Sequence, residues 1–100
     1  MAAKASKATC AHDCQALEQL PNIGPSLAAS LRLIGIQLPS DLVGKDAFAL
    51  YQQLCTATGQ RQDPCVLDTF MAIVDFMQGA EAKAWWRYTA LRKGRFGQVR

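Results

Sequence analysis

The side chains best suited to chemistry in this 100-residue chain are its four cysteines and its single histidine. Cys10, His12 and Cys14 alternate near the N-terminus, while Cys55 and Cys65 lie further along. Thiolates and imidazole are the usual ligands of tetrahedral zinc, but the spacing lacks the close C-x₂-C pairs of common structural sites. Two alternatives follow, a zinc site at Cys10, Cys14, Cys55 and Cys65 or four reduced thiols. The spacing favours the thiols, so we expect no metal and no cofactor.

Cys65 is the cysteine whose position best suits reactivity. It follows Asp63 and Pro64 at the start of a predicted helix, where the helix dipole would lower the pKa of a thiol. The single histidine lies far away in the N-terminal segment, so no general base accompanies the thiol. The chain also lacks a recognised phosphate-binding glycine loop, and one histidine cannot complete a Ser/His/Asp set. We therefore expect a protein that is not an enzyme.

A second stretch with chemical potential is LPNIGPSLAASL, from Leu20 to Leu31, which places a proline on each side of an Asn-Ile-Gly turn. Pro25 suits the first position of a helix, where its missing N–H costs nothing. Gly24 would permit a backbone conformation that is closed to residues with a Cβ atom. The stretch is either a bare helix–helix connection or a loop whose backbone amides hold a phosphate.

The apolar spacing around this turn, with Gly24, resembles the helix-hairpin-helix motif. The resemblance implies that Leu17, Leu20 and Leu31 join the two helices, that Ile23 plugs the hairpin, and that Ala28 allows a close helix approach. In that family the hairpin amides face a DNA phosphate, as helix-terminal N–H groups can. Two positions depart from the motif: Asn22 replaces the first glycine, although asparagine tolerates left-handed geometry, and Ser26 stands where lysine is common.

A third stretch, AKAWWRYTALRKGRF, interleaves aromatic and basic residues. Aromatic rings beside cations can stack on nucleobases while the cations neutralise phosphates. Alternatively, the aromatic rings of Trp85, Trp86 and Tyr88 cap the core, and the basic side chains remain in water. The adjacency of two tryptophans favours this second interpretation. One indole would then pack inward while its neighbour offers a surface to a partner.

The charge distribution separates an acidic body from a basic end, within a net charge of +3. From Ala8 to Ala82, eight acids and three bases give −5, whereas six bases and no acid from Lys83 onward give +6. The basic end would therefore carry any polyanion contact, or fold back onto the body. Asp68 and Asp75 share a helix face about 10 Å apart, too far to clasp one metal ion. They predict a solvated strip or a dock for the basic end.

The elements that position these residues follow from helical periodicity, since no segment alternates at period two. Helices are predicted over 13–20, 25–34, 46–57 and 63–79, with a turn at 38–42 and a short helix after residue 81. The fourth helix is apolar almost all round, so we expect it to be central. The prediction is an all-α, compact bundle of four to five helices. Residues 1–12 form a flexible tail, 13–93 the helix-hairpin-helix domain and 94–100 a basic tail.

Three segments in order, LPNIGPSLAASLRLIGI, DLVGKDAFALYQQLCTATGQRQDPCVLDTF and WWRYTALRK, resemble the bacterial "pathogenicity locus" family. Some members of that family are related to mitomycin resistance proteins, which connects it by name to DNA damage. The first half is also similar to the C-terminal domain of the TfoX competence regulators. The resemblance implies a helix-hairpin-helix domain and says little about activity.

These observations lead to one hypothesis and one alternative. The hypothesis is a non-enzymatic, cytoplasmic module with no membrane partner that binds the nucleic-acid backbone weakly and without sequence preference, in DNA repair or a damage response. The alternative is a protein–protein interaction module that uses the hairpin only as scaffold. The residues predicted to contact nucleic acid are Asn22, Ile23, Gly24, Ser26, Arg32, Arg87, Arg92, Lys93 and Arg95.

Overall fold

The computed structural model describes residues 7–97, and within them the chain forms helices and turns without any strand. The four α-helices are α1 (Pro25–Leu33), α2 (Ala47–Thr58), α3 (Pro64–Met77) and α4 (Thr89–Phe96). Four short 3₁₀ turns are Ala11–Asp13, Leu17–Gln19, Pro39–Leu42 and Trp85–Tyr88. The all-α prediction is confirmed.

Local sequence signals mark where the helices begin and end. Asp46 caps α2 by accepting a 2.9 Å hydrogen bond from the backbone N–H of Ala49, and Gly59 ends that helix in the left-handed conformation, at φ 68°. Asp63 accepts from the N–H of Cys65 at 2.9 Å where α3 begins. Such caps satisfy backbone groups that a helix end leaves without partners. Because these signals are local, the predicted helices 25–34, 46–57 and 63–79 match α1, α2 and α3 to within about two residues.

The predicted first helix at 13–20 is wrong. The structure has two 3₁₀ turns there, separated by an extended Ala16 at φ −133° and ψ 151°. The side chain of Gln19 accepts hydrogen bonds from two preceding backbone N–H groups, at 2.7 and 2.9 Å, and so holds the extended segment against the second turn. Leu20 is also extended, at ψ 143°, because a following proline disfavours the helical region.

The core is built around α3, as predicted. Leu67, Phe70, Ile73 and Phe76 are completely buried along it. The helix α2, the Pro39–Leu42 turn, the Trp85–Tyr88 turn and α4 all pack against α3. Each fully buried side chain of this size contributes about 1.5–3 kcal/mol, so α3 organises the fold.

The basic end of the chain folds back onto α3 through a buried ion pair. Asp68 is completely buried, and its carboxylate accepts from Arg92 Nε and from Thr89 Oγ1, both at 2.7 Å. The solvated-strip interpretation is therefore wrong for Asp68, which is the dock that the sequence offered as the alternative. A carboxylate can be buried only when a partner neutralises it, and Arg92 of α4 is that partner.

Both predicted tails differ from the structure where it describes them. At the C-terminal end, α4 continues beyond residue 93 to Phe96, whose ring stacks on Phe48 at a centroid distance of 4.7 Å. At the N-terminal end, Ala8 is buried and its N–H donates to the carbonyl of Gln19 at 2.9 Å. Ala8 and Phe96 thus pack against the domain from within the two predicted tails. Residues 1–6 and 98–100 of those tails lie outside the described residues.

Candidate nucleic-acid interface

The segment from Leu17 to Leu33, here called the hairpin, consists of a 3₁₀ turn, a tight turn and α1. Its inner side chains are completely buried, namely Leu17, Leu20, Ile23, Ala28 and Leu31. These are the five residues to which the helix-hairpin-helix resemblance assigned the internal packing of the motif. The two arms of the hairpin pack together even though the first arm is a single 3₁₀ turn.

The bend of the hairpin depends on Asn22 and not on Gly24. The N–H of Ile23 donates to the carbonyl of Leu20 at 3.3 Å, and Asn22 has a φ of 69°. Proline followed by a left-handed residue is the pattern of a type II turn. Gly24 has a φ of −98° and a ψ of −174°, with nothing within 4 Å of where a Cβ would lie. The prediction that Gly24 adopts a conformation closed to other residues is wrong.

The N-terminus of α1 is open to solvent. Gly24, Pro25 and Ser26 are exposed, and no side chain caps the helix. The first N–H groups of a helix have no partner within it, and they carry the positive end of the helix dipole. An anion can therefore approach the backbone here, and the absence of a Cβ at Gly24 leaves the approach unobstructed.

A lysine that the sequence analysis did not single out forms hydrogen bonds with the backbone of the hairpin. Lys7 Nζ donates to the backbone carbonyl of Glu18 at 2.8 Å and to that of Ile23. It thereby connects the first arm of the hairpin to the bend. A lysine in an N-terminal segment gives no local signal of such a contact, because both acceptors are main-chain atoms.

Arg32, predicted to bind nucleic acid, is paired with an acid. Its Nη2 atom lies 3.2 Å from Oε1 of Glu18, and both side chains are partly exposed. The backbone N–H of Glu18 itself and then the guanidinium of Arg32 lower the pKa of the Glu18 carboxyl. Exposed pairs of this kind contribute little to stability. A phosphate that bound Arg32 would compete with Glu18.

One long-range hydrogen bond joins the hairpin to the aromatic and basic stretch. Asn22 Nδ2 donates to the backbone carbonyl of Lys83 at 2.7 Å, across 61 residues of sequence. The side chain of Asn22 is thus occupied by this contact. Two motifs that the sequence presented separately are consequently neighbours on one surface.

The Trp85–Tyr88 turn presents one indole to solvent. Tyr88 is buried, and burial, followed by hydrogen bonding to Asp75, raises its pKa to about 12. Trp85 is partly buried, whereas Trp86 is 64% exposed. The two indoles meet edge to face, with centroids 5.7 Å apart and planes at 85°. The expectation of one inward and one outward indole agrees with this arrangement.

The predicted basic residues separate into exposed and buried ones. Arg87, Lys93 and Arg95 are exposed, as is Lys83. Arg92 is only 8% exposed because its guanidinium lies against Asp68. Arg92 therefore belongs to the core, and the sequence cluster of Arg92, Lys93 and Arg95 does not form one exposed basic patch.

The cysteines are unpaired and do not converge. None of the four is in a disulfide, and residues 7–97 contain no group of three or more histidine, cysteine or acidic side chains placed to hold a metal ion. Burial, followed by a hydrogen bond to Asp63, raises the pKa of the Cys65 thiol. The expected lowering by the helix dipole is wrong, since desolvation and a nearby carboxylate both disfavour the thiolate.

The comparisons with known proteins cover most of this fold. The profile of the family described as "Pathogenicity locus" matches residues 10–94. The chain belongs to the pathogenicity locus family. It is also 44% identical over 77 residues to the mitomycin resistance protein McrB of Streptomyces lavendulae, covering 77% of this chain and 73% of that protein. No solved structure matches the chain.

The family match includes the hairpin, the Asn22–Lys83 contact and most of α4, so the surface described above lies within the family domain. The helices in residues 7–97 are all too short or too polar to cross a bilayer.

Proposed function

We propose that this protein is a non-enzymatic, cytoplasmic helix-hairpin-helix module that binds the nucleic-acid backbone weakly and without sequence preference. The backbone amides at the start of α1 would receive one phosphate, while Lys83 and Arg87 would neutralise neighbouring ones. A role in the response to DNA damage would suit a relative whose name refers to mitomycin resistance.

The observation that carries this proposal is the hydrogen bond between Asn22 and the carbonyl of Lys83, 2.7 Å long. It supports a composite surface in which uncapped helix N–H groups and two exposed cations lie on neighbouring segments. Neither part alone would suffice, because one helix N-terminus offers few donors and a short basic stretch has no fixed geometry.

The surface favours weak, non-specific binding. Its donors are main-chain N–H groups and long basic side chains, which contact phosphates and carry no base information. Two of the predicted arginines, Arg92 and Arg32, are instead paired with Asp68 and Glu18. With one helix N-terminus and two exposed cations at this surface, the expected Kd is in the range of non-specific binding, about 10⁻⁴–10⁻⁶ M at physiological salt.

Fluorescence anisotropy with labelled oligonucleotides across a salt series tests this proposal. Each neutralised phosphate contributes about −0.9 to the slope of log affinity against log salt on duplex DNA. Replacing Lys83 and Arg87 together by glutamine should therefore flatten that slope by about two units. The matched control is Arg61→Gln, an exposed arginine in the connection between α2 and α3, which should leave the slope unchanged.

A second variant tests the hairpin separately. Ser26→Asp places a negative charge where the phosphate would bind, and it should weaken binding at every salt concentration. An acid in the first turn stabilises a helix, so lost binding would not reflect unfolding. Ser40→Asp, at an exposed position of the Pro39–Leu42 turn, is the control. A parent protein that binds no oligonucleotide even at low salt would refute the proposal.

The alternative, a protein–protein interaction module, is favoured by a different surface. Leu33, Leu38 and Val43 are 58%, 53% and 56% exposed, around the end of α1 and the Pro39–Leu42 turn. Exposed aliphatic side chains close in sequence are typical of contact surfaces when they form one patch. This alternative replaces the first proposal if the parent does not bind nucleic acid.

A further inference from the structure

Trp86 is the most exposed large hydrophobic side chain among residues 7–97, at 64%. Tryptophan is strongly buried on average in folded proteins, so an indole left in water is informative. The other aromatic residues of the same turn are not exposed in this way: Trp85 is partly buried, and Tyr88 is buried against α3. The turn has therefore used two of its three aromatic rings for packing and left the third free.

The turn that carries the exposed indole is held in place by several contacts. The indole of Trp86 meets the ring of Trp85 edge to face, with centroids 5.7 Å apart. The N–H of Arg87 donates to the carbonyl of Ala84 at 3.0 Å, which closes the 3₁₀ turn around Trp86. The preceding segment is anchored to the hairpin by Asn22. A side chain that such contacts already hold loses little conformational freedom when a ligand binds.

The chain segment that contains Trp86 is cationic. Lys83 and Arg87 are exposed on the same short segment, and no acidic residue follows Glu81 in the chain. An aromatic face between cations attracts a ligand that combines a flat ring with a negative backbone. An apolar protein partner would not need these charges.

We propose that Trp86 stacks on an unpaired nucleobase, so that the preferred ligand is single-stranded or locally unpaired nucleic acid. This inference rests on the proposed function, because the phosphates must be held nearby. Lys83 is three residues from Trp86, so their Cα atoms lie within about 11 Å. A base on Trp86 and a phosphate at the hairpin then belong to the same short run of nucleotides. Bases in a duplex already stack on their neighbours and leave no face for the indole.

The test compares three probes of equal length: oligodeoxythymidine, an abasic deoxyribose-phosphate strand and a blunt duplex. Anisotropy at one low salt concentration gives the Kd of each. The parent should bind the thymidine strand more tightly than the abasic strand. Trp86→Ala should weaken thymidine-strand binding about tenfold, within the range of base–aromatic stacking. It should change binding of the other two probes less than twofold.

Two further variants separate stacking from a folding effect. Trp86→Phe keeps an aromatic face and should recover part of the lost affinity. Leu38→Ala removes an exposed side chain outside both this segment and the hairpin, and should change nothing. Circular dichroism confirms that each variant is folded. The salt slope should be the same for the parent and for Trp86→Ala, because no charge is removed.

The failure of this inference differs from the failure of the proposed function. If Trp86→Ala weakens binding of the abasic strand as much as that of the thymidine strand, or weakens neither, stacking is refuted and phosphate binding stands. If the parent binds none of the three probes, the proposed function fails and this inference fails with it.

Discussion

Removing the guanidinium of Arg92 should destabilise the protein more than any surface substitution. The Asp68 side chain has no solvent exposure, and that of Arg92 has 10%. The carboxylate accepts from Arg92 Nε and from Thr89 Oγ1, each at 2.7 Å. In Arg92→Met the thioether side chain fills part of the space, but the carboxylate keeps only a neutral donor.

Breaking a buried ion pair on one side costs about 3–5 kcal/mol, because a buried charge is left uncompensated. A domain of this size is typically stable by about 5–15 kcal/mol, so the variant should lose a large share of its stability. Its Tm should fall by at least about 12 °C, since each kcal/mol shifts the Tm of a small domain by about 4–8 °C. The eight residues of α4 are too few to form a stable helix alone, so some helical signal should be lost first.

Urea unfolding and thermal melts followed by circular dichroism measure this effect. Arg87→Met, an exposed arginine in the adjacent turn, is the control and should stay within about 0.5 kcal/mol of the parent. In the double variant Asp68→Asn with Arg92→Met, no charge is buried, so more than half of the lost stability should return. A Tm of Arg92→Met within 2 °C of the parent, about 0.5 kcal/mol or less, would refute the buried pair.

Two further outcomes are expected from the hairpin and from the thiols. Asn22→Ala should lower the free energy of unfolding in urea by about 2 kcal/mol, because alanine at a φ of 69° is strained and the hydrogen bond to Lys83 is lost. Gly24→Ala should lower it by less than about 1 kcal/mol. The opposite order would mean that the bend depends on Gly24. For the thiols, the raised pKa of Cys65 means that little thiolate is present at neutral pH, so its alkylation rate by iodoacetamide, followed by peptide mass spectrometry, should still be rising above pH 9. A plateau in that rate below pH 8 would contradict the assignment.

Local signals in the sequence were enough to predict the helices whose ends they mark. Asp46, Asp63 and the prolines at the first positions of α1 and α3 mark boundaries through groups within one turn of each other. The buried side of the hairpin was also predictable, since Leu17, Leu20 and Leu31 follow a recognisable spacing. The wrong prediction of a helix at 13–20 also came from local patterns. It relied on the apolar spacing of that segment and gave too little weight to the proline that follows it.

Which charged and polar residues are free to act depends on long-range contacts that local sequence patterns do not show. Asp68 and Arg92 are 24 residues apart, and nothing near either one indicates that the other neutralises it. Asn22 and Lys83 are 61 residues apart, so no periodicity connects the hairpin to the exposed indole. The conformations of Asn22 and Gly24 were likewise settled by how the bend is closed. A side chain's burial depends on what the folded chain brings against it, and these partners come from segments whose proximity is created only by packing around α3.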